Sequence, residues 1–171
     1  MLKFSAALLG AALLMGQPLA TLSLSGRRAP SFTLPDSKLQ AHDILDSRGH
    51  WLLLDFMKTD CPNCKELSKK LEGVKARSGA KVEIWSIVVT PPENQTTVGK
   101  YISEMKITGP ILFDYGQVAV NYFRATPQTQ SFDTPHLFAI DANGMIVKDW
   151  NTAGVAAPGF PAELDQLLNK K

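Results

Sequence analysis

The six residues Trp51-Leu-Leu-Leu-Asp-Phe56 run directly into Met57-Lys-Thr-Asp-Cys61-Pro62-Asn63-Cys64 and then into Lys65-Glu-Leu67. A short, nearly unbroken apolar run predicts a strand buried on both faces. Pro62 suits the first position of a helix, where its missing N–H is not needed. Cys61 is thereby set at a helix N-terminus, where unpaired backbone N–H groups and the positive end of the dipole favour a thiolate. That setting lowers a cysteine pKa and makes it a nucleophile. Cys64 is one helical turn further on, close enough to pair with it. The chain holds 2 cysteines, so an intramolecular disulfide can only be this one. A disulfide closing so short a loop removes little chain entropy, which argues for a reactive dithiol over a structural staple.

With 171 residues, 44% of them hydrophobic and 20% charged, the chain is long enough for one domain with a real core. A formal net charge of +2 with no basic stripe argues against a nucleic-acid partner. The start of the chain has a different character. Lys3 and the apolar run 4–16 read as a targeting segment, too short for a span of about 20 apolar residues. Cleavage after Ala20 would place Pro18 at the third position back, which is unfavourable; cleavage after Ser25 places Ser23 there. Uncleaved, residues 2–24 would serve as an anchor. The expectation is therefore a signal peptide or N-terminal anchor over residues 1–25, giving a possible membrane tether, and one domain over 26–171. Export to a periplasmic or other extracytoplasmic space would let the two cysteines cycle through a disulfide.

Along the domain, residues 39–46 predict a short strand and turn, and residues 62–78 a helix with Leu67, Leu71 and Val74 on its inner face. Residues 81–89 predict a second central strand, completing a βαβ unit around the cysteines. Thr90-Pro-Pro-Glu-Asn-Gln reads as a loop, followed by a helix over 96–106, a strand over 111–113 and a helix over 114–123. The polar stretch 124–133 reads as a loop. Residues 136–140 and 145–150 predict a hairpin around Asp141-Ala-Asn-Gly144, and 161–169 a final helix.

Strand, Cys-Pro-Asn-Cys, helix and a later Thr134-Pro135 before an apolar strand resemble the thioredoxin superfamily. Ala29-Pro-Ser-Phe-Thr-Leu34 and Thr134-Pro-His-Leu-Phe-Ala-Ile-Asp-Ala-Asn-Gly-Met-Ile146 narrow the resemblance to its exported ResA/TlpA-like redoxins, from about residue 29 onward. It implies an α/β thioredoxin-like fold: a central mixed β-sheet flanked by helices, with a short N-terminal β extension. It also implies a thiol-disulfide oxidoreductase, a reductase of partner-protein disulfides, with no cofactor and with a redox partner protein to restore the dithiol. Asp60 stands where thioredoxins usually carry Trp, and Met57 replaces the usual aromatic.

The resemblance assigns Cys61 as the attacking thiol and Cys64 as the resolving one. Asp55 matches a buried acid that shuttles the proton of the resolving cysteine, and burial would raise its pKa toward that task. Pro135 matches a cis-proline facing the disulfide, with the Thr134 backbone free to pair with an extended substrate and the Thr134 hydroxyl within reach of the thiolate. Pro62 and Asn63 bring no positive charge, so a strong oxidant is not implied. Lys58, Asp60 and Lys65 read as solvated charges, and His136 as an ordinary strand residue. Zinc would need about four ligands, which two cysteines and three scattered histidines do not supply; covalent haem would need His at position 65, which is Lys. Two alternatives stay open. A copper(I)-binding metallochaperone would use the same soft thiolates. A thiol peroxidase would want Pro and Thr seven and three residues before its cysteine, where this chain has Leu54 and Lys58.

Overall fold

The computed structural model describes residues 23–127 and 132–170. Residues 1–22, on which most of the expected leader falls, lie outside the described residues. Among the described residues no helix is long and apolar enough to cross a membrane.

The chain opens with β1 (Arg27–Arg28), β2 (Thr33–Pro35) and β3 (Ala41–Asp43), and a 3-10 turn over Ile44–Ser47. The β2–β3 hairpin is closed by Asp36, whose carboxylate accepts from the N–H groups of Lys38 and Gln40 at 2.8 and 2.9 Å. β4 (Trp51–Phe56), α1 (Pro62–Ser78) and β5 (Val82–Val89) form the βαβ unit, with β4 and β5 parallel. Then come α2 (Gln95–Met105), β6 (Ile111–Asp114), α3 (Gln117–Phe123), β7 (His136–Ile140), β8 (Met145–Trp150), α4 (Thr152–Ala156) and α5 (Phe160–Leu168). The described residues make one six-stranded sheet in the order β1-β8-β7-β4-β5-β6. β4, β5 and β6 run parallel, while β7 lies antiparallel on β4 and β8 antiparallel on β7, so the sheet is mixed.

Alternation along β4 sorts the core into two layers. Leu52, Leu54 and Phe56 join Phe32, Trp85, Tyr122 and Phe138 under α3 and the N-terminal segment. Leu53 points the other way, into a cluster with Leu67, Leu71 and Val74 of α1 and Phe160 and Leu164 of α5. Each such buried side chain stabilises the fold by about 1.5–3 kcal/mol. Helix α1 begins and ends as its sequence requires: Cys61 caps it, Pro62 occupies its first turn, and Gly79, at φ 57°, closes it.

Two elements differ from expectation. α3 starts at Gln117 rather than 114, because Asp114 ends β6 and uses its carboxylate to accept from the N–H groups of Val118 and Ala119 at 3.1 and 2.8 Å. Gly116, at φ 99°, makes the turn between them. α4 was not foreseen. Its five residues are too few to show a helical period, and its start is fixed by Asn151, which accepts from Gly154 N–H.

Candidate redox site

The C-terminal end of β4, an interior strand, and the first turn of α1 bring the cysteines to the carboxyl end of the parallel strands. Cys61 and Cys64 are joined as a disulfide, with Cα atoms 5.2 Å apart. Their environments are unequal. Cys64 is fully buried, in a cluster with Met57, Val88, Val98 and Tyr101, while Cys61 is only partly covered. Cys61 Sγ accepts from the N–H of Cys64 at 3.1 Å, the capping bond of α1. Pro62 and Asn63 lie exposed on that first turn.

Thr134 and Pro135 close the site from the other side. The Thr134–Pro135 peptide is cis, as are Thr90–Pro91 and Pro91–Pro92. The carbonyl oxygen of Thr134 lies 3.7 Å from Cys61 Sγ. The expectation had placed the Thr134 hydroxyl there. The difference matters chemically, because a carbonyl oxygen only accepts and cannot donate to a Cys61 sulfur as a hydroxyl would. Pro135 is buried, and its own carbonyl accepts from the Thr152 hydroxyl at 3.2 Å.

Asp55 lies one alternation from Leu53 and from Met57, on the α1 side of the sheet. It is fully buried, and neither carboxylate oxygen has a hydrogen-bond partner. Loss of hydration alone pushes its carboxyl from 3.8 up to about 8. Above it, the hydroxyls of Ser68 and Tyr101 share a 2.8 Å hydrogen bond, and burial drives the Tyr101 phenol up to about 12.

Of the flanking charges, Lys58 and Asp60 are exposed and Lys65 pairs with Glu104 at 3.4 Å. His136 is buried, stacks on Phe138 with ring centres 4.7 Å apart, and meets Asp149 Oδ2 through Nε2 at 2.9 Å. Burial pushes Asp149 up, but hydrogen bonds from His136 and Ser25 outweigh it and leave its carboxyl below the ordinary value. Among the described residues no group of three or more His, Cys, Asp or Glu is placed to hold a metal.

Sequence reasoning missed Glu93. It sits just past the two cis prolines, is buried, and accepts from Thr59 N–H and Thr59 Oγ1 at 2.8 Å each and from Thr97 Oγ1 at 2.7 Å. A lone glutamate in a polar loop reads as solvated, and no spacing links it to Thr59, 34 residues away.

A family model described as the AhpC/TSA family matches residues 25–149. The chain is 30% identical over 124 residues to the thiol-disulfide oxidoreductase ResA of Geobacillus kaustophilus, covering 71% of this chain and 66% of that protein. To the thiol-disulfide oxidoreductase ResA of Halalkalibacterium halodurans it is 26% identical over 131 residues, covering 75% and 69%. The chain thus spans about two thirds of the length of these relatives. The crystal structure of the thioredoxin domain of a thiol-disulfide oxidoreductase from Bacteroides vulgatus superimposes with a TM-score of 0.67 at 19% identity, over 87% of this chain and all of that one. The fold is thioredoxin-like.

Proposed function

The chain belongs to the AhpC/TSA family, and from that premise we propose that it is an exported thiol-disulfide oxidoreductase that reduces disulfides of partner proteins. The observation that carries this reading is the inequality of the two sulfurs: one reachable at a helix N-terminus, one sealed behind it. In the reduced protein, the Cys61 thiolate attacks a partner disulfide and expels one partner thiolate, leaving a mixed disulfide. Asp55 takes the proton of Cys64; the Cys64 thiolate then attacks Cys61 Sγ and expels the second partner thiolate. The partner gains two electrons and draws two protons from solvent, and the protein is left as the Cys61–Cys64 disulfide. A redox partner protein with a dithiol restores it. Thr134 and Pro135 would face the bound chain, with Pro62 and Asn63 setting the poise. Residues 1–25 are the leader or anchor in this reading, and 26–171 the thioredoxin-like domain.

The test is the reduction potential of the Cys61–Cys64 pair in glutathione or dithiothreitol buffers. A value at or below about −220 mV, with Cys61→Ser inactive, supports the reductase. A value near about −120 mV turns the assignment to an oxidant that inserts disulfides, and the absence of a reversible couple overturns redox chemistry altogether. Anaerobic copper(I) titration and turnover with hydrogen peroxide separate the metallochaperone and peroxidase alternatives; the dithiol reading expects neither stoichiometric copper nor peroxide consumption.

A further inference from the structure

The turn that reaches Cys61 is short. Phe132-Asp133-Thr134-Pro135 runs straight into β7 at His136, and the Thr134 carbonyl at its tip lies 3.7 Å from Cys61 Sγ. Both ends of this turn pack on one ring, that of Phe123 at the end of α3. Phe132 lies flat against it, with centroids 4.4 Å apart and planes 8° from parallel. His136 meets the same ring edge-on, at 4.9 Å and 88°. Behind Phe123 stand Phe56 at 5.0 Å and Phe138 at 5.5 Å, both wholly inside the core. Offset-stacked and edge-to-face contacts of this kind are directional, so they fix where a ring sits as well as bury it.

The other edge of His136 is pinned as well. Its Nε2 meets Asp149 Oδ2 at 2.9 Å, and Asp149 also accepts from Ser25 and lies near the Arg27 guanidinium. Arg27 is held in turn by the carbonyl oxygens of Leu24, at 2.9 Å, and of Tyr122. A His–Asp pair between neighbouring strands can be a staple and nothing more. Two observations take this one further. His136 follows Pro135 directly and shares Phe123 with Phe132, so one ring fixes both ends of the turn that carries Thr134. The face around the cysteines also offers little else to grip. Among the described residues, none of the exposed large apolar side chains belongs to 58–65 or 132–135.

We propose that Phe123 and His136 are positioning residues: together they clamp the 132–136 turn and set where the Thr134 backbone meets an extended partner chain. Neither touches a sulfur or the partner. This rests on the reading of the protein as a reductase of partner-protein disulfides. A loosened clamp weakens the hold on a polypeptide but leaves Cys61 open to a small dithiol, which needs no backbone pairing.

The experiment uses the full-length protein and three readouts: the amide order parameter of Thr134, KM and kcat for a synthetic peptide closed by one disulfide, and the rate of exchange with dithiothreitol. Phe123→Leu is expected to lower the Thr134 order parameter from about 0.85 toward 0.6. It is also expected to raise peptide KM at least fivefold, with kcat and the dithiothreitol rate within twofold of the parent. His136→Gln, which loses the ring, is expected to do the same and keeps the inference testable if Phe123→Leu does not fold. Phe123→Tyr, which keeps the ring, is expected to stay within twofold throughout. A parental order parameter or KM in Phe123→Leu overturns the clamp. Equal losses with peptide and dithiothreitol overturn it too, since they mark a general loosening of the site. A parent that exchanges with dithiothreitol but does not reduce the peptide overturns instead the reductase reading, and the order parameter then decides the clamp by itself.

Discussion

Glu93 holds Thr59 by both of its donors, the backbone N–H and the hydroxyl, each at 2.8 Å. Thr59 is two residues before Cys61, so this carboxylate ties the loop carrying the redox pair to the start of α2, where Asn94 caps the helix and Thr97 supplies the third bond. Removing the acceptor strands a half-buried N–H, at a cost of about 1–3 kcal/mol. Glu93→Ala is therefore expected to lower stability by about 2 kcal/mol in urea unfolding and to slow disulfide exchange several-fold as the loop loses its hold. Glu93→Gln, which keeps one oxygen acceptor, is expected to fall between. An alanine variant with parental stability and rate would mean that the loop is held by other contacts.

Asp55 makes stability depend on pH in a stated direction. Its folded-state pKa is raised, from 3.8 to about 8, by burial. Between about pH 4 and 8 the native state therefore keeps a proton that the unfolded chain has lost, so stability falls as pH rises through that window and levels off above it. Asp55→Asn removes the charge and is expected to be more stable than the parent by on the order of 5 kcal/mol at pH 8, the rise from 3.8 to about 8 at about 1.4 kcal/mol per pH unit. The advantage should shrink toward pH 4. Parallel unfolding curves for both proteins across this range would assign the burial cost elsewhere.

The unequal cover of the two sulfurs predicts unequal reactivity. In the reduced protein at neutral pH, iodoacetamide is expected to alkylate Cys61 and spare Cys64. Cys64→Ser is expected to accumulate a mixed disulfide with a partner, detected as a mass adduct released by reductant, whereas Cys61→Ser accumulates none. Adducts on Cys64 in the Cys61→Ser protein would reverse the assignment.

Helix α5 covers the sheet face beneath α1 through Phe160 and Leu164, both in one cluster with Leu53, Leu67 and Leu71. Leu164→Ala is expected to cost about 2–5 kcal/mol, by lost burial plus the cavity left behind. Thermal unfolding would report this, while the potential of the cysteine pair should not move. A shifted potential would show that α5 reaches the redox loop.

Local pattern made much of this protein readable. The β4 run, the Pro62 start and Leu67-Leu71-Val74 face of α1, and the Asn-Gly turn of the β7–β8 hairpin are short-range signals, complete within one element. Cys-Pro-Asn-Cys named the reactive pair for the same reason: the strand end, cap and helix that position it are contiguous in the chain. What the sequence could not decide is whatever depends on who meets whom across the fold. The start of α3 was set by a strand-terminal carboxylate, Asp114, turning back on the helix. The contact on Cys61 came from the Thr134 carbonyl rather than its hydroxyl, 73 residues away. Glu93 carries no pattern at all, since a polar side chain in a loop looks solvated until tertiary packing buries it. Periodicity and capping fixed the elements because their energetics are local; only the packed structure chose which polar groups lost water, and that choice makes the site.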